Sequence, residues 1–323
     1  MNKLKNIFAN LVLVVISLIF IFVLCEGILR LKNAIIPNYD IEMWKYAKAL
    51  KKKSKNPKIG HIHVKNKSIK LQKTDIRINN LGQRGGDINL ENLKNFDRKI
   101  LFLGSSITLG WGVHEDKIST TVIDDLAKKN NKNWKVINGG IGNYNAQRYI
   151  NNYLENWSNL KVTDIVIQFF VNDTEILKDG NVNFFTLHTH TGVMVWKFIN
   201  SLKSDLKSEN IESYYKKLYQ DDFDGFNVTA KELKKLKSHC YEKQINCLLV
   251  LIPDIHKLNP YKLLFINNKM KSLANEIDFK IYDLLPDFEV VDSKKLWNKY
   301  NDPHPNELGH KIMGEKIYKI LTQ

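Results

Sequence analysis

The first pattern along the chain is a run of 19 residues, Ile7 to Cys25, broken in its apolar character only by Asn10 and Ser17. A helix of that length crosses the hydrocarbon core of a bilayer. Lys3 and Lys5 precede it, as in a signal peptide or signal anchor. Cys25-Glu26-Gly27 is a poor small-x-small cleavage site, and Leu24 before Cys25 spoils a lipoprotein signal. The pattern therefore predicts an uncleaved single-pass anchor, membrane-embedded over residues 7–29, ahead of a cleaved signal and of a buried core helix. The short N-terminal tail is expected in the cytosol and the bulk of the chain outside it, although Arg30 and Lys32 just beyond the span leave the charge rule undecided.

Residues 30–57 are Lys-rich, carry little periodicity and read as a juxtamembrane spacer. Their run Lys51-Lys52-Lys53-Ser54-Lys55 is a solvated face or a contact for anionic headgroups. A short β-rich lead-in (58–96) follows, with alternation in HIHV and IRIN, and it ends on the turn-rich Asn80-Leu81-Gly82-Gln83-Arg84-Gly85-Gly86. From residue 97 the texture changes. Apolar runs of strand length recur at 99–104, 134–138, 163–170, 245–254 and 278–284, separated by helical patterns at 117–130, 145–157, 228–243, 259–276 and 306–321. Continuously apolar strands alternating with helices predict an α/β fold, a three-layer sandwich with a central parallel sheet, over residues 97–323. Residues 178–227 break the rhythm as an insertion carrying Phe184, Phe185, Trp196 and Phe198.

Composition narrows the classes. Of 323 residues 43% are hydrophobic and 26% charged, which excludes wholesale disorder and a multi-pass membrane protein. Three cysteines make no disulfide framework; Cys240 and Cys247 read first as two small buried apolar residues, with a disulfide between them, outside the cytosol, as the lesser alternative. The formal charge of +15 raises the question of nucleic acid. Only Arg30, Arg77, Arg84, Arg98 and Arg148 are arginines, and the lysines are spread, so a solvated surface is expected and no nucleic-acid partner.

In an open parallel sheet, ligands bind at the carboxyl ends of the strands. The first strand ends in Gly104-Ser105-Ser106-Ile107-Thr108-Leu109-Gly110, the second in Asn138-Gly139-Gly140-Ile141-Gly142-Asn143-Tyr144, and the third in Phe170-Val171-Asn172-Asp173. Asn301-Asp302-Pro303-His304-Pro305 precedes the last helix. Hydroxyls, glycine turns, an Asn amide and a His beside an Asp are the parts of nucleophilic acyl transfer. His304 is the best-placed base, Asp302 can hold it, and turn amides with the Asn172 side chain can supply oxyanion donors. Phosphate-loop and dinucleotide fingerprints fail on spacing, and His188-Thr189-His190 has no third metal ligand nearby, so no metal or cofactor is expected.

Over roughly residues 77–323 this set resembles the SGNH hydrolases, the GDSL-type esterase and lipase superfamily. The family's Gly-Asp-Ser-x-Thr-x-Gly block falls on residues 104–110, which implies Ser106 as nucleophile, with Ser105 in place of the Asp. The second block implies an oxyanion N–H at Asn143, with Gly142 as the alternative. The Gly-x-Asn-Asp block falls on residues 170–173, with Phe170 for the Gly and Asn172 kept. In Asp-x-x-His-Pro, His304 and Pro305 match, while Asn301 stands at the Asp position and Asp302 is one residue late. Asp302 is preferred as orienter. The expected set is thus Ser106, Asp302 and His304 as catalytic residues, with Ser106, Asn143 and Asn172 at the oxyanion. Segment 80–85 and Asp-Pro-His-Pro-Asn resemble a membrane-anchored branch of the superfamily. The resemblance implies an SGNH/flavodoxin-like sheet and a serine esterase acting on an acylated cell-surface glycan or lipid. An O-acyltransferase using the same acyl-enzyme is the first alternative, and an inactive polysaccharide-binding module, motivated by Ser105, Phe170 and Asn301, is the second.

Overall fold

The computed structural model describes residues 2–177, 183–205, 211–299, 302 and 304–323. The chain divides into two units.

The first unit joins residues 1–48 to two helices from the 178–227 segment. Helix α1 (Asn2–Ile35) has 34 residues, about 51 Å at the usual helical rise, and is long and apolar enough to cross a membrane. It is followed by α2 (Tyr39–Leu50). Asn33 makes the corner between them, donating to Glu42 at 2.8 Å and accepting from Asn38 N at 2.7 Å. Within the segment 30–57, read above as a Lys-rich juxtamembrane spacer of little periodicity, the end of α1 and the whole of α2 are helical, and the helix signal was local. Asn38 caps Ile41 N, Asp40 and Glu42 sit in the first turn of α2, and Lys48 in its last. Helices α7 (Phe184–His188) and α8 (His190–Asp205) belong to the same unit, where Glu26 accepts from His190 N and Thr191 N and so caps α8.

The second unit is an α/β domain. Its lead-in has two antiparallel pairs, β1 (Lys51–Lys53) with β2 (His61–His63), and β3 (Lys67–Leu71) with β4 (Thr74–Ile78). A five-stranded parallel sheet follows, built from β5 (Arg98–Gly104), β6 (Trp134–Gly140), β7 (Asp164–Phe170), β8 (Asn246–Ile252) and β9 (Lys280–Asp283). The apolar runs become strands because every residue of β7, and Ile100 to Gly104 of β5, is buried. The helices are α3 (Leu90–Leu93), α4 (Ser106–Leu109), α5 (Ser119–Lys129), α6 (Ala146–Asn152), α9 (Ile211–Leu218), α10 (Asp224–Lys243), α11 (Leu264–Glu276), α12 (Leu285–Phe288) and α13 (Glu307–Leu321). Gly314 lets α13 approach α5, since a Cβ there would stand 2.6 Å from Val122.

Strand order is β6-β5-β7-β8-β9, so the winding direction reverses at β5. A crevice opens at such a reversal, outside the carboxyl ends of the two strands that diverge. The residues after β5 and β7 are those singled out above for chemistry. Of the two readings of Cys240 and Cys247 the lesser one holds: they form a disulfide across the turn from α10 to β8.

Candidate active site

Ser106 owes its position to three glycines. At Gly104 a Cβ would lie 2.1 Å from Thr108 Oγ1 and 2.9 Å from Gln168 O, so the chain turns directly off β5 into α4. At Gly140 a Cβ would lie 2.2 Å from Leu109 N, so the end of β6 packs on that same turn. Gly110 closes α4 with φ of 76°, a left-handed conformation that glycine adopts without strain. The half-buried Ser106 therefore stands on one rigid helical turn at the reversal point of the sheet.

The structure brings His304 and Asp302 to this serine. His304 Nε2 lies 2.7 Å from Ser106 Oγ, and His304 Nδ1 lies 2.5 Å from Asp302 Oδ1. The same carboxylate oxygen accepts His304 N at 3.0 Å, so one atom fixes both ring and backbone. With Nδ1–H donated to Asp302, Nε2 presents its lone pair to the Ser106 hydroxyl. Both side chains are almost fully buried, at 5% and 3% exposure, so solvent screens their interaction little. Asn298 holds the loop from below: its N donates to His304 O at 3.0 Å, and its Nδ2 reaches Asp302 Oδ2 at 3.5 Å. Gly112 accommodates it, because a Cβ there would stand 1.9 Å from Asn298 Nδ2. Asn301, the other candidate orienter, lies outside the described residues.

The expected oxyanion donors sit on the two neighbouring loops. Asn143 has φ of 63°, in the left-handed region that Asn tolerates better than most residues, whereas Gly142 does not use positive φ. The β6 loop is tied to the end of β5 by Ile141 N donating to Gly104 O at 3.2 Å. Asn172 is half-buried, and its carboxamide makes no hydrogen bond among the described residues. The turn that carries it is closed by Asp173, whose Oδ2 accepts Phe170 N at 3.1 Å. Burial pushes the Asp173 carboxyl well above the usual carboxylate range.

Sequence reasoning missed the residues that brace these loops. Arg84 is buried and donates to the carbonyls of Leu109, Gly110 (2.6 Å) and Val113 (2.8 Å), gathering the peptide oxygens that follow α4. His61 bridges in a similar way. Its Nε2 lies 3.0 Å from Gly142 O, and its Nδ1 lies 3.2 Å from Arg148 Nη1, which also reaches Asn143 O at 3.4 Å. These partners demand a neutral ring with the proton on Nε2, and burial holds His61 at about 2, well below the usual imidazole value. Lys51, beside it, is held down to about 7 by burial and by the Arg148 charge. The one advance signal was that Arg84, one of five arginines, fell within the turn-rich segment at 80–86.

No family model matches the chain, and no curated protein matches it. Among solved structures it is similar to TesA, at 12% identity and a TM-score of 0.46, covering 69% of this chain and 98% of that one. It is similar to the psychrotrophic esterase EstA from Pseudoalteromonas sp., at 12% identity and a TM-score of 0.44, covering 70% and 97%. It is also similar to an acetyl xylan esterase, AlAXEase, at 15% identity and a TM-score of 0.43, covering 69% and 99%. Likeness at that level identifies neither reaction nor substrate; the chemistry rests on the contacts above.

Proposed function

We propose that the chain is a serine esterase of the SGNH type, with a flavodoxin-like three-layer α/β domain held outside the cytosol by α1 as a single-pass anchor. The observation that carries this reading is the chain of contacts from Ser106 Oγ through His304 to Asp302, at 2.7 Å and 2.5 Å. A serine hydroxyl is a poor nucleophile until a base accepts its proton, and a 2.7 Å contact to a buried imidazole provides that base.

In this mechanism Ser106 Oγ attacks the ester carbonyl carbon as His304 Nε2 takes its proton. The carbonyl π electrons move to the oxygen, where Ser106 N–H, Asn143 N–H and the Asn172 carboxamide receive them. Collapse expels the alcohol, which takes the proton from His304. Water then attacks the acyl-enzyme, giving a proton to His304, and the second tetrahedral intermediate collapses to the acid as His304 returns that proton to Ser106 Oγ. Asp302 keeps the ring oriented and stabilises the imidazolium formed in each half-reaction. The substrate is an ester-linked acyl group on a cell-surface glycan or lipid.

The test uses the full-length protein in detergent micelles with a fluorophosphonate probe and 4-nitrophenyl acetate. Wild type is expected to be labelled and to hydrolyse the ester, and Ser106→Ala to do neither. A wild-type protein that is folded yet unlabelled and inactive would leave the binding-module reading in place.

A further inference from the structure

A second imidazole–carboxylate pair stands on the loop that leaves β8. His256 Nδ1 lies 2.7 Å from Asp254 Oδ1, and His256 N donates to the same oxygen at 2.9 Å. The pair adjoins the relay. The His256 ring is 6.0 Å from that of Trp297, whose indole N–H donates to Ile255 O at 2.9 Å. Trp297 in turn forms a backbone bridge with Pro305, the residue after His304. The Asp254 hydrogen bond raises the His256 pKa, and the Asp302 charge adds to it. The side chain is 41% exposed, and its Nε2 has no partner among the described residues.

The loop after the adjacent strand β7 and helix α9 together contribute a matching set. Glu175 closes the Asn172 turn, with its N donating to Asn172 O at 3.0 Å. Its carboxylate accepts from Tyr214 Oη at 3.1 Å, and the Tyr214 ring lies 5.4 Å from that of Tyr215. Tyr215 feels both loops electrostatically: burial pushes its hydroxyl well up, and the Asp254 and Glu175 carboxylates both add to that. Tyr261 Oη accepts Asp254 N at 3.2 Å and fixes the β8 loop. Tyr214 itself keeps 39% of its surface open. None of these groups has a part in the relay: Asp254 and His256 follow β8, Glu175 follows β7, and Tyr214 and Tyr215 stand on α9.

We propose that Tyr214, Tyr215, Glu175, Asp254 and His256 form a subsite for the sugar ring of the substrate, so that the acyl group removed at Ser106 is carried by a glycan. The proposal rests on the esterase reading and deepens it. A sugar presents adjacent hydroxyls together with a flat face of C–H bonds. Carboxylates accept the hydroxyl protons, the free Nε2 of an imidazole engages a hydroxyl, and an exposed phenol ring covers the C–H face. A fatty acyl chain would need a continuous apolar wall, and these residues are polar at their tips. A glycerol headgroup offers the same hydroxyls without the ring face, so the aromatic pair is the feature that selects a sugar.

The experiment compares kcat and KM of the full-length protein in micelles on three kinds of ester. These are 4-nitrophenyl acetate, glyceryl triacetate, and partly O-acetylated xylo-, manno- and gluco-configured oligosaccharides. The best oligosaccharide is expected to exceed glyceryl triacetate in kcat/KM by about tenfold or more. Tyr214→Ala and His256→Ala are each expected to lower kcat/KM for that oligosaccharide, mainly through KM, about tenfold more than for 4-nitrophenyl acetate. Tyr214→Phe keeps the ring and is expected to retain most of the preference. Glyceryl triacetate equal to or better than every oligosaccharide, or equal losses on both ester types in the alanine variants, overturns the subsite. If Ser106 still reacts with fluorophosphonate in that case, the esterase reading survives alone. If it does not react, that reading falls and the subsite with it.

Discussion

Asp302 is where the contacts make the sharpest demand. Replacing it by Asn leaves an oxygen able to accept both His304 Nδ1–H and His304 N, the two bonds now at 2.5 Å and 3.0 Å. The fold and the ring position should therefore survive. What disappears is the negative charge facing the imidazolium that forms when Ser106 gives up its proton. Two unit charges about 4 Å apart interact by about 4 kcal/mol at an effective dielectric of 20. The 3–5% exposure of the two side chains gives no reason to reduce that figure much. Every 1.36 kcal/mol is tenfold in rate, so Asp302→Asn should lower kcat on 4-nitrophenyl acetate by about 10³-fold, with KM nearly unchanged. Fluorophosphonate labelling should slow by a similar factor, and circular dichroism should show an unchanged fold. Asn301→Ala serves as the control. Asp302→Asn retaining more than about a tenth of wild-type kcat while Asn301→Ala loses it would refute the assignment, and would put the orienting group one residue earlier.

Two further outcomes follow from the braces and the buried imidazoles. Arg84→Met removes a buried cation from the carbonyls of Leu109, Gly110 and Val113, and should destabilise the domain by about 3–5 kcal/mol in denaturant titration, because those oxygens lose their donors; stability within 1 kcal/mol of wild type would show that water replaces the guanidinium freely. His310 accepts Ser119 N at 3.2 Å, and burial holds it at about 3 against its ordinary 6.5. The unfolded chain then takes up a proton below pH 6.5 that the folded chain does not, so this group's contribution to stability falls as pH drops, by about 2 kcal/mol on reaching pH 5. His310→Gln should be less acid-sensitive than wild type by that amount in urea titrations at pH 8 and pH 5, and parallel pH dependence in the two proteins would contradict the buried neutral ring.

The sheet and the relay were legible in the sequence for different reasons. The strands announce themselves because a parallel strand buried on both faces must be apolar throughout, as 164–170 is. Ser106, Asn172 and His304 stand out in the sequence because their side chains carry chemistry of recognisable type and fall where strands end. The braces escaped because a carbonyl has no residue identity. Nothing in the sequence says that Arg84 will meet Leu109 O, Gly110 O and Val113 O, or that His61 will meet Gly142 O across 81 positions. The disulfide ranked second for a related reason. Cys240 and Cys247 look like small apolar residues until the tight passage from α10 into β8 brings their Cα atoms to 6.5 Å.

The departures from the SGNH pattern fall where a side chain has little to contribute. Ser105, in the place of Asp, makes no side-chain cap bond to α4; its carbonyl accepts Leu109 N, as any residue's would. Asn143 supplies the backbone conformation that the alternative, Gly142, does not adopt. Phe170, in the place of Gly, turns its ring into the core at 7% exposure, while the Asp173 carboxyl closes the turn beneath Asn172. The Asp position before His304 has moved by one residue, and the carboxylate still reaches Nδ1. A domain drifting toward a purely binding role is free to lose the contacts between Ser106, His304 and Asp302 first, because only catalysis needs an imidazole buried against a serine. Here the substitutions spare those contacts, and a buried arginine and a neutral histidine from the lead-in hold the loops around them. That distribution is what the proposed acyl-transfer reading expects, and it weighs against the inactive module.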